Sequence, residues 1–375
     1  MSDVAIEVNE RENNPASSQY DRFVGLEHYV SGEVIIRNYG STENLESTMK
    51  VFRSGDILVA RRNVYLKRAS TVDFDGLTSG DSIVLRAKDP TIGRILPFVL
   101  NTDAFWDFAD QYSDGTMSKR LSPKTLMTYE FDLPEKDELE KFADILWAAN
   151  DTRESYQELL RQTDDLVKSQ FIEMFGRPED NNLGWVMGTI RDIVSDVRYG
   201  SSRQASPDGK YPYIRMNNIT YGGELDLTDL KRINIPDNEI PKCTVRRGDV
   251  LFNRTNSKEL VGKTCLYDRD ETMVLAGFVI RVRMNDKATP EFLVQYMNLP
   301  YIKELLLSMC KAACGQANIN AQELQNIPIY IPPMDLQKQF IALKQQTDKS
   351  KFEIKKAIEN TSALIKSLMQ QDLTN

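Results

Sequence analysis

Histidine is almost missing from this chain of 375 residues, with His28 the only one. A Ser-His-Asp triad has one residue to draw on, and a multi-histidine metal centre cannot be built. Cys243, Cys265, Cys310 and Cys314 include no CxxC pair. Cys310 and Cys314 stand one helical turn apart in the apolar stretch LLLSMCKAACG, where buried thiols are expected rather than a metal site. No apolar run approaches the roughly 20 residues that cross a bilayer. The opening MSDVAIEVNERENN lacks the basic, apolar, small-residue order of a signal peptide, so a cytoplasmic protein is expected. Gly262-Lys263-Thr264 ends like a phosphate-binding loop, but Ser257 stands where that loop needs its first glycine. No Asn-Pro-Pro-aromatic element for amino-group methylation occurs either. The chain is expected to hold no metal, no cofactor and no catalytic residue of its own.

What is present is duplication. LMTYEFDLP (126–134) lies over LQNIPIYIP (324–332) at an offset of 198, and the same offset carries Phe142 onto Phe340 and Leu166-Val167-Lys168-Ser169 onto Leu364-Ile365-Lys366-Ser367. Upstream, SGDIL (54–58) matches RGDVL (247–251), each followed three residues later by an arginine, Arg61 or Arg254. Repeats of this length are domains rather than solenoid units.

The expected organisation is a polar N-terminal arm (1–19), a first globular unit (20–134), a central helix (135–176), a second globular unit (177–334) and a C-terminal helix (335–375). The globular units read as mixed α/β with short strands, at Phe23–Leu26, Val34–Arg37, Asp56–Ala60 and Tyr129–Leu133 in the first. Residues 97–112 and 290–311 read as helices. Each long helix carries a heptad-like apolar seam. It runs through Leu139, Phe142, Leu146, Tyr156, Leu160 and Val167 in the central helix, and through Phe340, Leu343, Ile354, Leu364 and Leu368 in the last. Each seam needs a partner. Two such helices of roughly 36 residues, packed against each other, would form a spacer about 54 Å long.

The formal charge of −8 is unevenly spread. Residues 135–174 hold eleven Asp/Glu against five Lys/Arg, whereas residues 47–70 hold six Lys/Arg against Asp56 alone. Residues 198–263, which include Arg203, Arg215 and Asn217, hold twelve Lys/Arg against eight Asp/Glu. Local field outweighs the sum for phosphate binding, because the Debye length is about 8 Å in physiological salt. Each half has a polar basic loop after its Gly-Asp turn: Arg61, Arg62, Lys67 and Arg68 in the first, Arg254, Asn256, Ser257 and Lys263 in the second. Such residues supply donors for phosphates, and Arg and Asn discriminate base edges. Two further loops sit just before the strand that feeds each long helix. SDGTMSKRLS (113–122) offers Lys119 and Arg120, and ACGQANIN (313–320) offers Gln316 and Asn318, with capping of the following turn as the plainer reading of both.

At these residues the chain resembles the specificity (S) subunit of type I restriction-modification systems, over nearly its whole length. The elements that carry the resemblance are RGDVLFNRTNS with VGKT, GQANIN and GTMSKRLS, IPIYIPPMDLQKQFIAL leading into the last helix, and LVKSQFIEMFG closing the central one. The resemblance implies two target recognition domains separated by two long antiparallel coiled-coil helices, each domain reading one half of a bipartite sequence in double-stranded DNA. It also implies two modification subunits as partners, binding S-adenosylmethionine and methylating adenine, and restriction subunits that join them. The helical seams would then meet the modification subunits. The second half opens with Trp185–Ser202 before Tyr213-Ile214, whereas the first reaches the corresponding Phe23-Val24 after about twenty unlike residues. An internal start, a truncated reading frame or a substitute packing arrangement all fit this departure. Two other readings remain open: a metal-dependent nuclease using Asp208, Asp229 and Lys231, and a coiled-coil adaptor that binds only protein.

Overall fold

The computed structural model describes residues 1–115, 118–257, 260–310 and 317–373. Two compact units emerge, the first from residues 1–158 and 354–375, the second from residues 159–353. The long helices contribute one part to each unit.

Among its described residues, unit 1 has nine strands: β1 (Ala5–Glu7), β2 (Arg11–Glu12), β3 (Arg22–Val24), β4 (Gly40–Ser41), β5 (Met49–Phe52), β6 (Ile57–Ala60), β7 (Ala69–Thr71), β8 (Gly76–Thr78) and β9 (Ser82–Ala87). They form two sheets, ordered β1-β9-β6-β7 and β2-β5-β8-β3-β4, with β3 and β8 parallel and the other pairs antiparallel. Helices α1 (Pro90–Val99), α2 (Asp103–Gln111) and α3 (Pro123–Met127) follow, then the long α4 (Lys136–Phe175).

Unit 2 repeats the plan. It holds β10 (Val186–Thr189), α5 (Ile190–Ile193), β11 (Val194–Tyr199), β12 (Tyr211–Ile214), β13 (Lys231–Ile233), α6 (Ile240–Cys243), β14 (Thr244–Val245), β15 (Val250–Asn253), β16 (Thr255–Asn256), β17 (Thr264–Leu266), β18 (Met273–Leu275) and β19 (Val279–Met284). After these come α7 (Pro290–Met297), α8 (Pro300–Met309), β20 (Ala317–Asn318), α9 (Ala321–Gln325), β21 (Pro328–Ile331) and the long α10 (Met334–Leu373). The sheets β11-β19-β15-β17 and β13-β12-β18-β14 restate those of unit 1, down to the parallel pair β12·β18.

The strands close on their pattern of burial: all four residues of β6 and of β15 are buried, as central strands demand. Each segment expected as one helix is split in two. Thr102 caps α2 by accepting from Phe105 N, and Pro300 opens α8, so the chain restarts rather than continues.

Both long helices run as expected from their apolar spacing, but the seam needs one correction. Leu139, Phe142 and Leu146 of α4 share a core with Ile365, Leu368 and Met369 of α10, while Leu364 is 51% exposed. The stripe shifts by one residue because α10 turns Ile365 and Met369, four apart, toward the core. In unit 2, Phe171 and Phe175 pack on Phe340, and Lys351 bonds Asp164 at 2.6 Å, so there the two helices run antiparallel. Val167 and Phe340 are buried, whereas Tyr156, Leu160, Leu343 and Ile354 are half-buried.

Three further expectations give way. Residues 1–19 are not a free arm: β1 pairs with β9 along Ala5–Glu7, and Met1, Ala5 and Val8 are buried. Val34–Arg37 forms only an isolated bridge, Ile35 to Thr71. Tyr129–Leu133 is no strand, although its counterpart β21 pairs with β10. No counterpart of β10 occurs among the described residues of unit 1.

Candidate nucleic-acid interface

In unit 2 the polypeptide enters the site through a clamped turn. Gly248 takes a φ of +89°, open to glycine without strain, and the Asp249 carboxylate accepts from Arg246 N at 2.9 Å. Asp249 also binds Arg283 of β19, and this hydrogen-bonded pair raises the arginine's proton affinity. The turn launches β15, at whose end Arg254 emerges. Its guanidinium lies 4.9 Å from the centre of the Tyr199 ring, and its buried Nε has no hydrogen-bond partner among the described residues. Tyr199 is itself fixed, since its hydroxyl accepts from Ala321 N at 2.9 Å.

Beyond Arg254, β16 pairs antiparallel with β20, and Thr255 Oγ1 donates to Asn318 Oδ1 at 2.8 Å. Asn256 and Ser257 are half-buried and Asn318 is exposed. Gln316 and Lys258 lie outside the described residues. Asn320 caps α9 by accepting from Gln322 N and Glu323 N, so part of GQANIN does serve as a cap.

Unit 1 builds the same meeting of loops. Asp56 accepts from Arg53 N and binds Arg86, as Asp249 does in unit 2. Past β6, Leu121 N donates to Arg61 O, and Arg62 forms a bridge with Arg120, at the place where Thr255 meets Asn318. Arg120 binds Asp81 at 2.9 Å and Arg62 approaches the same carboxylate at 3.8 Å. Lys119 is held by Asp110 at 2.6 Å and Lys67 by Asp103 at 3.0 Å. Arg68 turns inward to the carbonyls of Leu26 and Arg62.

Structure therefore sorts the expected contact residues. Arg61, Arg62, Lys119 and Arg120 come together in unit 1, and Arg254, Asn256, Ser257 and Asn318 in unit 2. Lys263 does not join them: it is 7% exposed and donates to Met216 O at 3.0 Å, and burial lowers its proton affinity. Arg203 and Arg215 are tied to Glu239 and Asp229 at 2.7 Å, contacts that hold both carboxyls below their usual range. Asn217, beside them, is exposed. Asp229 also lies 3.7 Å from Lys231, so its charge is already opposed by two cations rather than facing an open metal site. Sequence reasoning missed Tyr199 and Asp81. Nothing in the pattern around either one marks a shelf for an arginine or a carboxylate shared by two.

Residues 182–361 match the family described as "Type I restriction modification DNA specificity domain". That match covers 180 of the 375 residues, just under half of the chain. The chain is 28% identical over 201 residues to the putative type I restriction enzyme MjaX specificity subunit of Methanocaldococcus jannaschii, covering 52% of this chain and 46% of that protein. It is 24% identical over 188 residues to the EcoKI specificity subunit of Escherichia coli K12, covering 49% and 40%. The match thus spans less than half the length of each curated relative. The type I S subunit from M. genitalium shares the fold, with a TM-score of 0.53 at 12% identity over 100% of this chain and 95% of that one. Among the described residues of the chain, no helix is long and apolar enough to cross a membrane.

Proposed function

We propose that this chain is the DNA-reading subunit of a type I restriction-modification complex, each unit contacting one half of a bipartite target in double-stranded DNA. The observation that carries the reading is the repeated platform: in both units a loop leaving the central strand meets a second loop, Arg62 against Arg120 in one and Thr255 against Asn318 in the other. Arginine and asparagine side chains presented on paired backbone suit phosphate contact and base-edge readout. On this reading catalysis lies outside the chain. Two modification subunits holding S-adenosylmethionine would dock on it and methylate adenine, and restriction subunits would join them.

The test is single-molecule sequencing for methyladenine in cells that express this chain with a modification subunit, against cells that lack it. A new split motif is the expected result. No methylation from a complex shown to assemble would overturn the reading. Replacing residues 177–334 with the matching domain of a relative should then change one half of the motif and spare the other.

A further inference from the structure

A tight turn leads into β9 in unit 1 and into β19 in unit 2. Ser82 N donates to Ser79 O at 3.1 Å in the first, and Val279 N donates to Ala276 O at 2.9 Å in the second. The two turns carry Gly80-Asp81 and Gly277-Phe278 at the same places. Each is tied to the arginine that leaves the central strand, since Arg61 N donates to Asp81 O and Arg254 N donates to Phe278 O, both at 2.9 Å. The ladder pairs just before them, Ala60 with Ser82 and Asn253 with Val279, share one register. Asp81 and Phe278 are therefore a single structural position filled by opposite chemistries.

Two neighbours change with it. Asp81 draws in Arg62 and Arg120. In unit 2 the corresponding places hold neutral Thr255 and Asn318, bonded to each other at 2.8 Å. Phe278 itself is 52% exposed. A phenylalanine exposed alone would need no explanation. This one continues the ladder opposite Arg254, which puts the two side chains on one face of the sheet. Tyr199, paired with Ile280 on the other side of β19 and stacked under Arg254, belongs to that face as well. Deeper along it Phe252 and Ile280 are buried in the core, whereas at the loop end the ring stands uncovered.

We infer that Phe278 is a base-reading residue of unit 2, its ring packing on the C5 methyl of a thymine in the major groove while Asn318 bonds the edge of an adenine. The inference rests on the DNA-reading function proposed above. Thymine alone among the four bases shows a methyl group in that groove, and asparagine matches the N6 and N7 edge of adenine. Set against a guanine or cytosine, the ring would cover a polar edge and leave it without a hydrogen-bond partner. Unit 2 is thus built to demand an A·T pair at this place, where unit 1 offers arginines suited to guanine or phosphate.

The test maps methyladenine by single-molecule sequencing in cells that express the native chain, or its Phe278→Ala variant, with a modification subunit. The native motif should require a thymine in the half that exchange of residues 177–334 assigns to unit 2. Phe278→Ala should accept other bases there and leave the second half unchanged. In vitro, duplexes with deoxyuridine replacing each thymine of that half in turn need no variant. At one position the native complex should bind about fourfold more weakly, the effect of one buried methyl group, and Phe278→Ala should bind both duplexes equally. A motif half without an A·T pair, a thymine still required by the folded variant, relaxation in the other half, or native binding indifferent to deoxyuridine would overturn the inference. Weaker binding by the variant with no change in base preference would assign the ring to stacking and overturn it too. A native complex that assembles and methylates nothing would instead overturn the DNA reading itself, and this inference with it.

Discussion

Asp249 holds Arg283 through both carboxylate oxygens, at 2.8 and 3.2 Å, and Asp56 holds Arg86 in the same way at 2.7 and 2.8 Å. Each aspartate is almost fully buried and also closes its own turn, on Arg246 N or Arg53 N. The repeated Gly-Asp signature is thus a brace that fixes where the polar loop leaves the central strand. Removing the carboxylate strands two or three buried donors, so Asp249→Ala should destabilise unit 2 by about 2–3 kcal/mol. Urea denaturation checks it. Arg283→Met on the Asp249→Ala background should cost less than the two single losses added, because the pair acts as one.

Contact with phosphates requires cations that can leave their present partners. Arg62 and Arg120 share Asp81, and an Asp81→Asn variant should bind duplex DNA more tightly at low salt. The slope of log K against log salt should steepen by up to about 2, near 0.9 per phosphate gained. Arg254→Gln should weaken binding and make that slope shallower by about 1. Lys263→Met should leave the slope unchanged, since Lys263 is buried against Met216 O. Binding measured across salt concentrations separates the three. An Asp81→Asn protein with unaltered affinity would show that Arg62 and Arg120 do not face the phosphates.

Much of this was legible in the residues, for identifiable reasons. The long helices and central strands follow from apolar periodicity, which local geometry turns directly into burial. The offset between halves exposed the duplication and, with it, the paired loops. Lys263 was misplaced because a lysine in a polar loop looks the same whether its amine meets solvent or a carbonyl 47 positions away. Leu364 was misplaced because a seam read at period 3.5 drifts along a long helix whose period is 3.6. Tyr129–Leu133 has the alternation of a strand, yet pairing needs a neighbour, and alternation cannot say whether one is present.

The end of α10 is anchored to unit 1 by charge. Lys366 and Lys67 both bind Asp103, at 2.6 and 3.0 Å, and these bonds, Lys366 first, hold its carboxyl down to about 2. A depressed carboxyl contributes stability above its unfolded pKa, 3.8, and loses it as pH falls toward 2. Asp103 is half exposed, so solvent screening keeps the gain below about 1 kcal/mol. Carbon-13 titration of the Asp103 carboxyl should place its midpoint well below that of an ordinary aspartate, and Lys366→Met should raise it. An unmoved midpoint in that variant would sink the assignment.

Lys303 works in the opposite sense. It is enclosed in unit 2, donating to Gly262 O at 2.9 Å with the Tyr221 ring 5.7 Å away. Burial, and then the neighbouring Lys263, bring its pKa down to about 8 from 10.5. The unfolded chain therefore holds this proton more firmly than the folded one, and folding below pH 8 carries the cost of a charged amine in a poorly hydrated place. Between pH 8 and 10.5 that cost falls away and unit 2 should gain stability. Other groups titrate in the same range, so the informative quantity is the difference between the native chain and Lys303→Met in melting temperature across pH 7–10. The variant should be relatively more stable at pH 7, with its advantage shrinking toward pH 10. A constant difference would mean that Lys303 keeps an ordinary pKa and is hydrated in solution.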